Sequence, residues 1–128
     1  MNKFLLSVAL LFSMSVFAAQ PNCSEVATSQ QVDACAKLAK ESADSNLNES
    51  YRKLMVRVNS QYQASPELGG GFIAKLKDSQ RAWLKLRDAN CALEAFEVEV
   101  GPPAYVTTIN NCVARMSLVR SVYLDKML

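Results

Sequence analysis

The chain has 128 residues, no histidine and a nearly balanced charge, with 14 lysines and arginines against 12 acidic residues. Without histidine no Ser-His or Cys-His couple can form, and the charge balance lacks the basic excess that nucleic-acid binding requires. The length suits one small domain, which we expect to be neither an enzyme nor a nucleic-acid-binding protein.

The first residues have the features of a secretory signal peptide. Lys3 gives a short positive region, and residues 4–17 are apolar with only serine interruptions. Small or branched residues then precede a cleavage site after Ala18 or, as a second choice, Ala19. Residues 1–18 are therefore predicted to be removed, leaving residues 19–128 as a single helical domain.

The predicted destination is the periplasm or the exterior. The residues before Cys23, Gln20-Pro21-Asn22, do not form a lipid-anchoring box, so we expect no stable membrane anchor.

Four cysteines fall in the exported part: Cys23, Cys35, Cys91 and Cys112. An even number in a small exported domain indicates two disulfides, with three alternative pairings. Zinc is the weaker alternative because the chain has no histidine and no Cys-x-x-Cys. We therefore expect neither a metal nor a cofactor.

A long first helix is predicted from a capping box at Thr28 and Gln31 up to the break at Ser65-Pro66. Its apolar residues recur at three- and four-residue steps: Val32, Cys35, Ala36, Ala39, Ala43, Leu47, Tyr51, Leu54, Met55, Val58 and Tyr62. The glycine-rich stretch 65–71 that follows is read as a mobile turn between helices, because it lacks the Gly-Lys-Ser/Thr of a phosphate-binding loop.

A second helix is predicted from about Phe72 to Val98, ended by Gly101-Pro102-Pro103. It carries the only tryptophan, Trp83, on an apolar stripe that is interrupted by Gln80 and Arg87. A third helix is predicted from Tyr105 or Thr107 to near the end of the chain. The fold class is therefore all-α, an antiparallel bundle of three main helices with two disulfides.

The turn positions select a disulfide pairing. A reversal near residues 101–103 places Cys91 opposite Cys112, which leaves Cys23 to pair with Cys35. The rival pair of Cys35 with Cys91 would span on the order of 13 Å, too far for a disulfide.

The same register places Arg87 opposite about residue 48 of the first helix. We expect Arg87 to pair with Asp44, with Asn48 and Gln80 completing a polar network, because a guanidinium on a core-facing stripe needs an acceptor. Tyr51 is expected to pack beside Trp83. The favoured interpretation is that this polar set fixes the register of the helices and performs no chemistry.

Two segments carry a resemblance to a known family. Asp44-x-x-Leu47-Asn48-x-x-Tyr51, followed by Gln80-Arg81-Ala82-Trp83-x-x-x-Arg87-Asp88-x-x-Cys91 and a later Cys112, resembles the LprI-type family of small exported domains. The resemblance implies a disulfide-bonded helical domain, and lysozyme inhibition is attributed to the family's namesake.

One surface feature suggests a binding face. Glu94, Glu97 and Glu99 crowd the predicted end of the second helix, where the helix dipole disfavours negative charge. The cluster is interpreted either as a patch for a basic protein partner, lysozyme foremost, or as a solvated helix end with nearby cations, and the second interpretation is favoured.

Two functions follow as hypotheses. The first is a non-enzymatic binding protein that inhibits lysozyme, as the resemblance implies. The second is a structural or interaction protein of the periplasm with an endogenous envelope partner, which the nearly neutral charge favours.

Overall fold

The computed structural model describes residues 20–128; the predicted signal peptide and its cleavage site lie outside them. Three helices follow one another: α1 at Ser29–Gln61, α2 at Pro66–Glu94 and α3 at Pro103–Asp125. No strand occurs in this part of the chain. The predicted fold class, an all-α bundle of three main helices with two disulfides, is confirmed.

The capping box predicted at the start of α1 is present. Thr28 Oγ1 accepts a hydrogen bond from the Gln31 backbone N at 3.2 Å, and Gln31 Oε1 accepts one from the Thr28 backbone N at 3.0 Å. These reciprocal bonds satisfy backbone donors that the first helical turn leaves free.

The glycine stretch is helical, which corrects the predicted mobile turn. The chain reverses between Tyr62 and Ser65, and α2 begins at Pro66 rather than at Phe72. Proline suits the first helical position because its fixed φ is already helical and no N–H is lost there. Gly69 lies so close to α1 that an added Cβ would be 3.0 Å from Tyr62 Cβ, so glycine permits the close packing of the two helix ends.

The end of α2 also differs from the prediction. The helix ends at Glu94 rather than at Val98, and α3 begins at Pro103, ahead of the predicted Tyr105 or Thr107. The residues after Glu94 include aromatic and β-branched types with weak helix propensity. Pro103 occupies the first helical position of α3, as Pro66 does in α2.

The core lies between α1 and α3, which pack together over the most extensive interface, while α2 makes smaller contacts with both. Its centre is a cluster of five buried aliphatic residues: Leu47, Leu54, Val58, Leu76 and Leu124. Tyr51 and Trp83 are partly buried and pack against this cluster. The modest contact between α1 and α2 leaves a groove between them.

The C-terminal end of α3 is fastened to α1 by Arg57. Its Nη2 donates to the Leu124 carbonyl at 2.8 Å, and its Nε donates to the Met127 carbonyl at 3.2 Å. A cation at this position satisfies free carbonyls and complements the helix dipole.

Both disulfides have the predicted pairing. Cys23 is joined to Cys35 with a Cα–Cα distance of 5.7 Å, and Cys91 to Cys112 with one of 5.5 Å. The first ties the lead-in to α1, and the second, fully buried, joins α2 to α3. Within residues 20–128, no helix has the length and apolar character that crossing a membrane would need.

Candidate functional site

A polar network centred on Arg87 links all three helices. Arg87 Nη1 donates to Asp44 Oδ1 at 3.2 Å and to Ser117 Oγ at 3.3 Å, while its Nε donates to Asp88 Oδ1 at 2.9 Å. The Ser117 hydroxyl also donates to Asp44 at 3.2 Å, and Lys40 Nζ lies 3.1 Å from the other oxygen of that carboxylate. The ion pair between Arg87 and Asp44 that the helix register predicts is therefore present.

The other two predicted members of the network are placed differently. Gln80 Oε1 accepts a hydrogen bond from Arg120 Nε at 3.1 Å, and within residues 20–128 no hydrogen bond joins Gln80 to Arg87. Asn48 is exposed, and among residues 20–128 no hydrogen bond reaches its side chain. Ser117 of α3 bonds with Arg87 and Asp44 where the sequence predicts Asn48 to do so. The register of α1 and α2 alone could not indicate this contact with α3.

Arg120 is a buried cation that the sequence reasoning missed. It is 8 % exposed, and its Nη2 donates to Ser79 Oγ at 2.9 Å in addition to the bond to Gln80. Its guanidinium carbon lies 5.0 Å from the Tyr123 ring centroid and 5.7 Å from that of Trp83. Burial lowers the pKa of the Arg120 guanidinium, and no carboxylate of the described chain forms an ion pair with it.

The tryptophan therefore contacts two cations. Arg87 also lies against Trp83, with its guanidinium carbon 5.5 Å from the ring centroid. Such contacts stabilise a desolvated cation through the negative face of the ring. A signal for the missed residues was present, since Ser117 and Arg120 follow Val113 at helical steps of four and seven and so share its core-facing stripe.

The groove between α1 and α2 is an open cavity of about 360 Å³. Its lining includes all four residues of the predicted polar core and two of the three predicted packing residues: Asp44, Leu47, Asn48, Tyr51, Gln80, Leu84 and Arg87. The segments that carry the resemblance thus form a surface as well as a core. The volume lies in the lower part of the range of roughly 300–1,000 Å³ for small-molecule sites.

The three glutamates near the second turn differ in whether a cation pairs with them. Glu94 ends α2, and its carboxylate oxygens lie 2.6 and 2.7 Å from Arg115 Nη2. Glu97 and Glu99 lie beyond the helix, exposed, and no ion pair involves them in the part of the chain that the structure describes. The favoured interpretation of a compensating cation therefore applies to Glu94 alone.

Comparison with known proteins gives the same architecture. A family model described as lysozyme inhibitor LprI matches residues 23–124. The chain belongs to the LprI family. A solved structure of a DUF1311 family protein from Pseudomonas putida KT2440 is similar, with a TM-score of 0.70 and 32% identity over 77% of this chain and 91% of that one.

A relative by sequence comes from Rhizobium meliloti strain 1021. That protein, described as uncharacterized, is 27% identical over 115 residues, which are 85% of this chain and 80% of its own length. For the LprI family member described here, the fold and the family are established together, and function must be argued from its surfaces.

Proposed function

We propose that this LprI-family chain is an exported, non-enzymatic protein that binds and inhibits a lysozyme-type enzyme through the loop at residues 95–102. The observation that carries the proposal is the composition of this loop. Phe96 and Val100 are 81 % and 76 % exposed, and they alternate with the exposed carboxylates of Glu97 and Glu99. Two disulfides support an oxidising destination such as the periplasm.

The loop is held at both ends. The buried disulfide between Cys91 and Cys112 joins the helices on either side of it, and Ala95 is buried at its start. The Val98 backbone N donates to the Ala95 carbonyl at 3.0 Å, and Gly101 has a φ of 109° just before α3. A loop that is ordered before binding loses less conformational entropy when a partner docks.

The loop combines two kinds of recognition chemistry. An exposed aromatic side chain is a typical energetic anchor of an interface. The adjacent carboxylates attract a cationic partner and favour correct orientation during encounter. A basic enzyme with an open cleft, as lysozymes of the common animal type are, fits both requirements.

The test is titration of the purified, disulfide-bonded chain into several lysozymes, with binding heat and cell-wall lysis both measured. We expect saturation near one-to-one and loss of lysis. The Phe96→Ala variant should weaken binding more than tenfold. The double charge reversal Glu97→Lys/Glu99→Lys should weaken it too.

A matched control reverses two carboxylates outside the loop, Glu25→Lys/Glu41→Lys, and should leave the affinity within about twofold of wild type at physiological salt. Inhibition that survives the loop variants would overturn the assignment of the loop. Absence of heat and inhibition across the panel would overturn the inhibitor function.

A second candidate is an interaction protein with an endogenous envelope partner. An exposed apolar stripe on α3 favours it: Leu118, Val119 and Val122 follow helical spacing and all are exposed. Such a stripe is a typical contact surface for another protein. Recovery of one periplasmic protein by the wild type, and its loss with Val119→Lys, would support this function.

A further inference from the structure

We propose that the groove between α1 and α2 binds a neutral saccharide. This groove is a site separate from the loop at residues 95–102. The proposal rests on three features of the groove: a balanced charge, polar side chains with spare hydrogen-bonding groups, and an apolar floor. The balanced charge disfavours an ionic ligand, and the other two features favour a polyhydroxylated one.

The charges beside the groove cancel. Asp44 contacts both Lys40 and Arg87, and Asp88 contacts Arg87, so two carboxylates face two cations. The Nη1 and Nε groups of Arg87 already donate within the protein. Arg120, which has no ion pair within residues 20–128, donates to Gln80 but does not itself line the groove. Among the lining residues neither an anion nor a cation would find an unmatched charge, and a neutral ligand is favoured.

Three polar side chains on the groove wall keep unused hydrogen-bonding groups. The Asn48 amide and the Tyr51 hydroxyl have no hydrogen-bond partner among the described residues. Gln80 uses Oε1 to accept from Arg120, and its two Nε2–H donors have no partner in residues 20–128. Together they offer donors and acceptors to one ligand, which a polyhydroxylated molecule can match.

The floor of the groove is apolar. Leu47, Leu84 and the aromatic ring of Tyr51 are the apolar part of the lining; Leu47 is 2 % exposed, so Leu84 and Tyr51 offer most of the accessible apolar surface. A pyranose has hydroxyls around its edge and C–H groups on its faces, so it can pack on such a floor while its hydroxyls meet the amides. The cavity of about 360 Å³ has room for a short oligosaccharide.

A peptide fits these features less well. An extended peptide gains affinity from free backbone groups of a sheet edge, but both walls of the groove are helices whose interior backbone groups bond within the helix. A helical peptide needs a long apolar trough, and here the apolar lining is limited to two leucines and one tyrosine.

No side-chain hydrogen bond within residues 20–128 accounts for Asn48. It is exposed in the middle of α1, where asparagine is a poorer helix former than alanine or leucine. Asn46 is exposed on the same helix but does not line the groove. The two differ by about 200° around the helix axis, which makes Asn46 a matched control.

The experiment measures binding of N-acetylglucosamine, its β-1,4-linked trimer, glucose and maltotriose to the disulfide-bonded chain. An alanine tripeptide with both ends blocked is the neutral peptide probe. The side-chain amide resonances of Asn48 and Gln80, which line the groove, report on binding directly. The single tryptophan, Trp83, lies against the lining residue Arg87 and gives a second, fluorescence signal. We expect saturable changes with at least one sugar and none with the peptide.

The variants locate the binding. Asn48→Ala should weaken the sugar about tenfold, the loss expected for one good hydrogen bond. Tyr51→Phe, which removes only the hydroxyl, should also weaken it. Asn46→Ala should bind as the wild type does, and the melting temperature of each variant checks that the fold is kept.

Three results would overturn the proposal. They are the absence of any sugar-induced change up to the solubility limit, equal binding by the Asn48→Ala and Asn46→Ala variants, and binding of the peptide at the groove in place of the sugars. The loop variants that test lysozyme inhibition do not touch the groove, so failure of one proposal is distinguishable from failure of the other.

Discussion

The ion pair between Arg87 and Asp44 gives a sharp prediction for stability. The Asp44→Ala change removes the acceptor of Arg87 Nη1, of the Ser117 hydroxyl and of Lys40. The Arg87 side chain is only 13 % exposed, so loss of its partner leaves a mostly desolvated cation.

The loss of stability expected for Asp44→Ala lies between two limits. Breaking a fully buried pair costs about 3–5 kcal/mol, and breaking an exposed one costs 1 kcal/mol or less. Asp44 is 32 % exposed, and Arg87 keeps its bond to Asp88, so the lower part of the interval applies. We expect a loss of about 2 kcal/mol, which lowers the melting temperature by roughly 8 °C for a domain of this size.

The assay is urea and thermal unfolding followed by far-ultraviolet circular dichroism. Asp88→Ala is the matched control, because Asp88 contacts the same guanidinium but is 65 % exposed, and we expect it to cost about 0.5 kcal/mol or less. If the free energy of unfolding of Asp44→Ala is within about 0.5 kcal/mol of the wild-type value, or if both variants lose the same amount, the ion pair does not hold the helices together as argued.

Three further predictions concern packing, capping and the disulfides. Gly69→Ala should destabilise the protein by about 1 kcal/mol, because its Cβ would meet Tyr62. Gly70→Ala has open space around it and should stabilise the protein by about 0.5 kcal/mol. Urea unfolding measures both, and effects of equal sign would contradict the close approach. Arg57→Met should lower the free energy of unfolding by about 1–2 kcal/mol through loss of the hydrogen bonds that cap α3. The exposed control Arg52→Met should change it very little. Equal stability of the two variants would show that the cap does not stabilise the fold. The exposed disulfide of the lead-in should be reduced at lower dithiol concentration than the buried one between α2 and α3, as mass spectrometry after alkylation would show; simultaneous reduction would argue against this order.

The parts of the fold that the sequence predicted depend on local or pairwise rules. The capping box at Thr28 needs only residues three apart, and the disulfide pairing needs only the positions of two chain reversals. The contact of Arg87 with Asp44 follows from the same register between two antiparallel helices. Each of these needs only a short sequence separation or the antiparallel register of two consecutive helices, without knowing how all three helices pack together.

The missed features depend on contacts with α3 or with the end of α1. The sequence predicts that Gln80 and Asn48 complete the network of Arg87 and Asp44. In the structure Arg120 of α3 donates to Gln80, and Ser117 of α3 makes the hydrogen bonds to Arg87 and Asp44. The glycine-rich composition predicts a turn at residues 65–71, but α2 begins at Pro66, and a close approach to Tyr62 favours glycine at position 69 within the helix. Tertiary contact overrode local preference in both cases.

The residues that carry the LprI resemblance therefore divide into two groups with different tests. Arg87 and Asp44 form hydrogen bonds with each other and with α3, so substitution of either residue should lower the stability of the protein. Asn48 and Tyr51 keep their polar groups free in the described chain and face the groove, so loss of those groups should leave the melting temperature nearly unchanged. A motif required only for folding would not need an exposed asparagine and a free phenol hydroxyl on one wall. The separation of stability from binding between these two pairs is thus the observation that would distinguish a structural signature from a binding site.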